Sequence, residues 1–344
     1  METFHVNGQL GRSSIHVGES IKNLENYLPK EHQVVIVTDE NIQKYYHKDF
    51  PDVPVITIGT GEAIKTLSTV ETILKKLIHY SCDRSSFIVG IGGGIVCDIT
   101  GFVASSFLRG VDFGFVSTSL LSQVDASVGG KNGVNLDSYK NMVGVFNQPE
   151  FVLCDIDLLK TLPDTEISNG LAEIVKHALI KDADLLGFIE TNKENALKLD
   201  YHTIYRLVAE SVKIKSQVVQ QDEKESGERR KLNFGHTIGH AIEKIERAGH
   251  GRAVSMGMVA AAEFSKEKGY ISNADVLRIK RLLTDLNLPI GLDYNAQEII
   301  KAAGKDKKKE GKDLFYVFLE QIGQAKVEKI KFKEINGFIT SIFK

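Results

Sequence analysis

Phe87-Ile-Val-Gly90-Ile-Gly92-Gly93-Gly94-Ile-Val-Cys-Asp98 is the stretch that decides the fold. Its first five residues are apolar and uncharged, with the β-favouring side chains of a buried strand. Three consecutive glycines then force a tight turn, and residues 92–107 read as that turn running into a helix. Small residues at such a turn let the backbone approach a pyrophosphate, and the unpaired N–H groups of the helix start attract its charge. The run departs from G-x-G-x-x-G because Ile95 stands where the last glycine is required. Alone, therefore, it serves equally well as a device for packing a helix against a strand.

Outward from this turn the first half repeats the same grammar. Residues 33–38, 53–58, 112–117 and 151–154 read as short buried strands. Leu67, Val70, Ile73, Leu74, Leu77 and Ile78 recur at helical spacing within residues 62–80. Strands alternating with helices imply a largely parallel sheet covered on its faces. After Pro163 the strand signal fades. Amphipathic stretches follow at 168–179, 200–219, 236–247, 255–268 and 273–286, and one strand candidate returns at 314–319. The expectation is an α/β chain: a Rossmann-like parallel-sheet nucleotide domain over 1–160 and a mostly helical metal- and substrate-binding domain over 161–344. The ligand site is expected in the cleft between the halves. The lysine run at 305–312 reads as a solvated loop.

With 344 residues, 42% hydrophobic and 26% charged, the chain suits a soluble globular protein of two domains. A formal net charge of −2 and no basic tail argue against nucleic acid or a membrane surface as partner. Cys82, Cys97 and Cys154 are odd in number and lack any CxxC pattern, which fits packing residues in a reducing cytoplasm. The N-terminus lacks a signal-peptide layout, and no apolar run is long enough to span a bilayer.

Chemistry concentrates in the second half. Asn233-Phe-Gly-His236-Thr-Ile-Gly-His240 places two histidines four apart, on one face of a helix, and His250-Gly251 follows shortly. A His pair at this spacing is commonly incidental. A third His, together with Glu173 in Asn169-Gly-Leu-Ala-Glu173-Ile-Val-Lys176-His177, makes a metal site the better reading. Two imidazoles and a carboxylate leave one coordination position open, as in catalytic zinc sites. Two of the four histidines His177, His236, His240 and His250 are then surplus, and a surplus imidazole is suited to proton transfer. Cations also recur in small-residue or apolar settings: Arg109, Lys131, Lys140, Lys176, Lys215 and Arg229. Each alone is most simply a surface residue with a buried stem. Together they suit a substrate bearing phosphate and carboxylate. Asp39 and Asn41, just after the first strand, are placed either to bond a ribose or adenine or to cap a helix.

In order, the chain carries Gly61-Glu62-Ala-Ile-Lys65, Gly92-Gly-Gly-Ile-Val-Cys-Asp98, Thr118-Ser119-Leu-Leu-Ser-Gln-Val-Asp125-Ala-Ser-Val-Gly-Gly-Lys131 and Lys140-Asn141. The Glu173 run follows, then Glu225-Ser-Gly-Glu-Arg229, Leu232-Asn233 through His240, His250-Gly251 and Asp306-Lys307-Lys308. In this succession the chain resembles the 3-dehydroquinate synthase family over nearly its whole length. The resemblance implies that Glu173, His236 and His250 hold zinc or cobalt. NAD would be surrounded by Asp39, Asn41, Glu62, Lys65, Gly93, Gly94, Asp98, Thr118, Ser119, Asp125, Lys131, Lys140, Thr161, Glu166 and Asn169. A substrate and catalytic set would comprise Lys131, Asn141, Lys176, Lys215, Glu225, Arg229, Asn233, His240 and Lys307, with Arg109 reaching a neighbouring subunit in a homodimer. The implied reaction is a step of the shikimate route to chorismate and the aromatic amino acids. It converts 3-deoxy-D-arabino-heptulosonate 7-phosphate to 3-dehydroquinate and phosphate by transient oxidation, β-elimination, re-reduction and aldol closure.

Two positions depart from the family pattern: His250-Gly251-Arg252 replaces His-Gly-Glu, and Thr118-Ser119 replaces Thr-Thr. The first bears on the local shape of the segment carrying His250; the second keeps the hydroxyl. A 2-deoxy-scyllo-inosose synthase-like cyclase is the nearest rival, disfavoured by Arg229, which suits a carboxylate-bearing substrate. A metal-dependent polyol dehydrogenase would have no use for the phosphate and carboxylate receptors. A non-enzymatic NAD- or metal-binding protein would be expected to have lost motif positions, and none is vacated.

Overall fold

Residues 1–9, 11–137, 139–246, 249–304, 309–310 and 313–343 are described by the structure, a computed structural model. In chain order the elements begin with β1 (Glu2–Gly8), β2 (Gly11–Val17), β3 (Val34–Asp39), α1 (Glu40–Tyr46), β4 (Val55–Ile58) and α2 (Leu67–His79). Next come β5 (Phe87–Gly92), α3 (Gly94–Ser106), β6 (Phe113–Ser117), β7 (Lys131–Leu136), β8 (Tyr139–Phe146) and β9 (Phe151–Cys154). The helical half holds α4 (Asp164–Lys181), α5 (Ala183–Leu197), α6 (Tyr201–Gln221), α7 (His236–Glu246), α8 (His250–Glu267), α9 (Asn273–Asp285) and α10 (Ala296–Ala303). Three short strands and a helix close the chain: β10 (Lys309–Glu310), β11 (Asp313–Gln321), β12 (Gln324–Lys331) and α11 (Phe332–Ile342).

The chain packs as two units, residues 1–163 with 204–223, and residues 164–203 with 224–344. In the first, seven strands lie in the order β1-β2-β9-β6-β5-β3-β4. All neighbours are parallel except the β1–β2 hairpin. Every residue of β5 and β6 is buried, as central strands of a doubly covered sheet must be. One face carries Ile36, Val89, Ile91, Val116 and Leu153 in a core with Ile21, Leu24 and Leu158. Helix α3 packs against β5, β6 and the antiparallel β7–β8 hairpin. That hairpin had no clear signature in the sequence: β8 is largely exposed and β7 mixes glycine and asparagine with its apolar residues.

In the second unit α4 is buried without interruption from Ile167 to Ile180, so polar residues on any of its faces are enclosed. It packs against α5, α8 and β12, while α8 also packs against α7, α9 and β11. The expected single strand at 314–319 proves to be the middle strand of an antiparallel sheet, β10-β11-β12. Its partner β12 was hidden because Gln-Ala-Lys-Val-Glu-Lys-Ile-Lys is half charged. The lysine run at 305–312 lies mostly outside the described residues. Among the described residues no helix is long and apolar enough to cross a membrane.

A Cβ at Gly101 of α3 would stand 2.0 Å from Asn132 Oδ1 on β7. Asn132 Nδ2 in turn donates to the Gly130 and Asn147 carbonyls at 3.1 and 2.9 Å. Gly101→Ala should therefore dislodge the hairpin and lower stability by roughly 1–3 kcal/mol, a typical cost of overpacking. Denaturant unfolding of the two proteins checks this.

Candidate active site

In the first unit, three neighbouring parallel strands end side by side: β3 at Asp39, β5 at Gly92 and β6 at Ser117. The register sets Thr38 opposite Ile91 and Gly92 opposite Ser117. Thr38 Oγ1 donates to the Ile91 carbonyl at 2.8 Å, and the Thr118 N–H donates to the Gly92 carbonyl at 3.0 Å. Gly93 is the N-cap of α3, so the first N–H groups of that helix open at the carboxyl end of the sheet, where ligands of open α/β sheets bind. Asp39 caps α1, its Oδ1 accepting from the Asn41 and Ile42 N–H groups at 2.9 and 3.0 Å. Burial raises the Asp39 carboxyl above its usual value although those two hydrogen bonds oppose the shift.

Beside the turn lies a polar network. Lys65, itself buried, pairs with Asp98 and donates to Asn141 Oδ1 at 2.6 Å. Burial raises the Asp98 carboxyl, and the Lys65 charge pulls it back. Glu62 Oε1 accepts from Asn135 Nδ2 at 2.8 Å and lies 3.9 Å from Lys140 Nζ. The Asn141 N–H donates to Asn135 Oδ1 at 2.9 Å, from a backbone at φ 52°. The structure thus gathers Glu62, Lys65, Asp98, Lys140 and Asn141, and adds Asn135, which the sequence reading missed. Lys215 on α6 reaches both the carboxylate and the backbone carbonyl of Asp125, which sits in a π-helical turn at Ser122–Ala126. Such turns re-aim side chains, and no sequence pattern announces this one. Thr161 bonds Tyr46 Oη at 2.9 Å. Lys131 and Arg109 are exposed, the latter at φ 76°, and Lys307 lies outside the described residues.

In the second unit Glu173, wholly buried on α4, faces both Nε2 atoms of the histidine pair that brackets it. His250 Nε2 lies 3.2 Å and His236 Nε2 3.7 Å from Glu173 Oε1. One donor atom from each of the three fits within a 4.8 Å span. Ligands on a tetrahedral zinc with bonds of about 2.0–2.1 Å stand about 3.3 Å apart, so the donor set fits a divalent cation in both chemistry and spacing. Lys176, one turn beyond Glu173, is equally enclosed and ion-paired with it. His240 stacks edge-on to His236, with ring centroids 5.1 Å apart. His177 is buried on α4.

Glycines make this convergence possible. A Cβ on Gly257 of α8 would lie 2.0 Å from the Gly235 carbonyl, and one on Gly251 would lie 2.4 Å from Asn169 Cα. Bare backbone therefore lets α8 touch both α7 and α4. His250 is the first residue of α8 rather than part of a connecting loop, which corrects the expected helix start at 255. Asn169 Oδ1 accepts the Arg252 N–H at 3.2 Å and Asn169 Nδ2 donates to Glu166 Oε1 at 3.3 Å, so Asn169 ties α4 to the start of α8. Upstream, Asn233 Nδ2 donates to the Glu225 carboxylate, while Arg230 Nε donates to the Glu225 carbonyl at 3.2 Å. This cinches the segment that buries Arg229. The other residue missed from sequence is Glu243, buried on α7 with Oε2 3.5 Å from His250 Nδ1. Burial alone would lower the His250 pKa, but hydrogen bonds to Glu173 and Glu243 raise it to about 10.

The fold is that of the sugar phosphate cyclases. A 2-deoxy-scyllo-inosose synthase solved with carbaglucose-6-phosphate, NAD+ and Co2+ is 26% identical, with a TM-score of 0.85 over 99% of this chain and 100% of that one. The 2-epi-5-epi-valiolone synthase of Streptomyces hygroscopicus, 24% identical, shares the fold at a TM-score of 0.87 over 96% of each chain. Within that class, residues 55–169 match the 3-dehydroquinate synthase N-terminal family and residues 170–309 the 3-dehydroquinate synthase C-terminal family. The 3-dehydroquinate synthase of Alkaliphilus metalliredigens is 36% identical over 98% of both chains, and that of Acinetobacter baylyi 40% over 96% of this chain and 95% of its own. The chain belongs to the 3-dehydroquinate synthase family.

Two outcomes follow from the geometry of the second unit. Gly257→Ala should part α7 from α8, spread the Glu173, His236 and His250 donors, and weaken any divalent-cation binding there on the order of tenfold or more, read by chelator competition. Because the His250 pKa is raised, a cation must displace its proton, so binding strengthens as pH rises toward 10. Affinity should fall roughly tenfold per pH unit below that, with about one proton released per cation. Calorimetry in buffers of different ionisation enthalpy counts that proton.

Proposed function

We propose that this protein is a carbon–oxygen lyase acting on a phosphate, a 3-dehydroquinate synthase converting 3-deoxy-D-arabino-heptulosonate 7-phosphate to 3-dehydroquinate and phosphate. The observation that carries the reading is the Glu173–His236–His250 cluster, two of its members buried and His250 partly so, in a chain related over nearly its full length to proteins of that name. Glu173, His236 and His250 would hold one zinc or cobalt ion, which supplies Lewis acidity toward substrate hydroxyl and carbonyl oxygens. NAD would lie at the ends of β3, β5 and β6, near Asp39, Asn41, Gly93, Gly94, Thr118 and Ser119. Glu62, Lys65, Asp98, Asp125, Lys131, Lys140, Thr161, Glu166 and Asn169 complete that set. The dinucleotide supplies a reversible hydride acceptor and should be regenerated in each turnover.

The remaining work falls to side chains of the protein. Arg229 offers a planar two-pronged donor for the substrate carboxylate, and its burial leaves little water to compete. Lys131, Asn141, Lys176, Lys215, Asn233 and Lys307 are the receptors for phosphate and hydroxyl groups. Arg109 would serve the site of a second subunit in a homodimer. His240, beside the cluster but outside the three-donor set, is suited to relay protons, with Glu225 holding Asn233 in place. The small-molecule chemistry and three free cysteines, Cys97 and Cys154 of them buried, suit a cytoplasmic enzyme of the shikimate pathway.

The test is phosphate release from the heptulosonate phosphate with a trace of NAD. Many turnovers without accumulation of NADH are expected. Glu173→Ala, His236→Ala or His250→Ala should each abolish tight metal binding, whereas Asp98→Ala should raise the NAD requirement and leave metal content intact. Stoichiometric NADH from a polyol would establish a dehydrogenase instead. Turnover of glucose 6-phosphate in preference to the heptulosonate would establish an inosose-type cyclase.

A further inference from the structure

Glu243 is a carboxylate in a setting that rarely tolerates one. It lies on α7 two turns beyond His236 and one beyond His240, so the three side chains share a helix face. Only 8% of it is exposed, and buried carboxylates are found almost only with partners. Its Oε2 stands 3.5 Å from His250 Nδ1, while His250 Nε2 stands 3.2 Å from Glu173 Oε1. The His250 ring is thus held between carboxylates from two different helices.

His236 shows the same arrangement made in another way. Its Nδ1 lies 3.1 Å from the Phe234 carbonyl, and its Nε2 faces Glu173. In both rings an oxygen acceptor stands behind Nδ1 and the Glu173 carboxylate stands before Nε2. A proton on Nδ1, held by an acceptor, leaves the Nε2 lone pair as the donor and fixes the ring plane. For His236 the acceptor comes from the backbone two residues earlier. For His250, which opens a new helix, it comes from a side chain on the neighbouring helix.

We propose that Glu243 is a positioning residue: it holds His250 in the Nδ1–H tautomer so that Nε2 completes the donor set with Glu173 and His236. The proposal rests on the reading of those three residues as a metal site. It also excludes a competing use of the same atoms, since His240, Glu243 and His250 could themselves gather within 4.8 Å of one another around a second cation.

The test uses full-length, chelator-stripped protein titrated with Zn2+ against a competing chelator and with Co2+ by its visible absorption. The wild type should bind one ion per chain. Glu243→Ala should bind one ion 10–100-fold more weakly, the usual effect of losing an orienting partner, with a shifted cobalt spectrum. Glu243→Gln, whose amide oxygen still accepts from Nδ1–H, should stay within roughly tenfold of wild type and keep the wild-type spectrum. Nitrogen-15 spectra of histidine-labelled zinc protein, with His250 assigned through His250→Gln, should show a protonated Nδ1 and a metal-bound Nε2. This last readout needs no Glu243 variant to fold. Wild-type affinity in Glu243→Ala, equal losses in Glu243→Ala and Glu243→Gln, or Nδ1 ligation would each overturn the proposal. So would a second ion in the wild type that disappears in Glu243→Ala. Failure of the wild type to bind any ion, or undiminished binding by His236→Ala, would instead sink the metal-site reading beneath it.

Discussion

The constraint that organises the helical unit is the wholly buried carboxylate of Glu173. An isolated carboxylate at such depth is prohibitively costly, so the surrounding structure must supply positive charge or protons. Lys176 supplies one charge from the same helix, and His250, held between Glu173 and Glu243 with its pKa raised to about 10 by them, favours a second when protonated. Counted over the side chains of Glu173, Glu243, Lys176 and His250 alone, with both carboxylates ionised and both bases protonated, the formal charge is zero. Under the proposed function a divalent cation replaces the His250 proton, and the same four groups become one positive charge richer. A buried site with one unbalanced positive charge favours an anionic ligand, and stabilises negative charge developing on a substrate oxygen more than it would in water.

The sheet unit meets a different requirement with different means. There the turn after β5 offers close backbone approach and the N–H groups of a helix start, so under the proposed function glycines and strand ends would do what charged side chains do in the helical unit. Lys65, buried, and Asp98, partly buried, stand next to that turn as a pair that also holds Asn141. A buried ion pair is a poor source of stability but fixes geometry, because either partner left alone would be far more costly than the pair. Gathering Glu62, Asn135 and Lys140 around it makes the β7–β8 hairpin part of the same network, although nothing in that hairpin's pattern announces a strand.

Those differences set what could be read from the sequence. The parallel sheet was legible because buried strands are written in unbroken apolar runs such as Phe87 to Ile91, and the turn because glycine is punctuation. The helical half was legible wherever one face alone is apolar. The β7–β8 hairpin, β12 and the π-helical turn at Asp125 were not, because cross-strand pairing and local helix winding, rather than residue type, produce them. At the site, Glu173, His236 and His250 stood out because imidazole and carboxylate announce metal chemistry. Glu243 did not: in sequence it is one more glutamate on an amphipathic helix. Only the approach of α8 to α7 reveals which face it occupies. That approach depends in turn on Gly257 and Gly251, whose role is to have no side chain.

Arg252 illustrates the limit of reading a motif by its letters. The family pattern calls for glutamate after His-Gly, and a carboxylate in the first turn of a helix is favoured by the helix dipole by about 0.3–1 kcal/mol, where arginine is disfavoured. In this chain the side chain at 252 is exposed, and the contact that position makes with α4 runs through its backbone N–H to Asn169 Oδ1. Any residue but proline can donate that hydrogen bond. The dipole term is small beside the steric demand at Gly251, where a single added carbon would meet the Asn169 backbone at 2.4 Å. The segment can therefore exchange glutamate for arginine while His250 keeps its place as the first residue of α8, because backbone contact and the adjacent glycine, not the charge at 252, hold that helix end against α4.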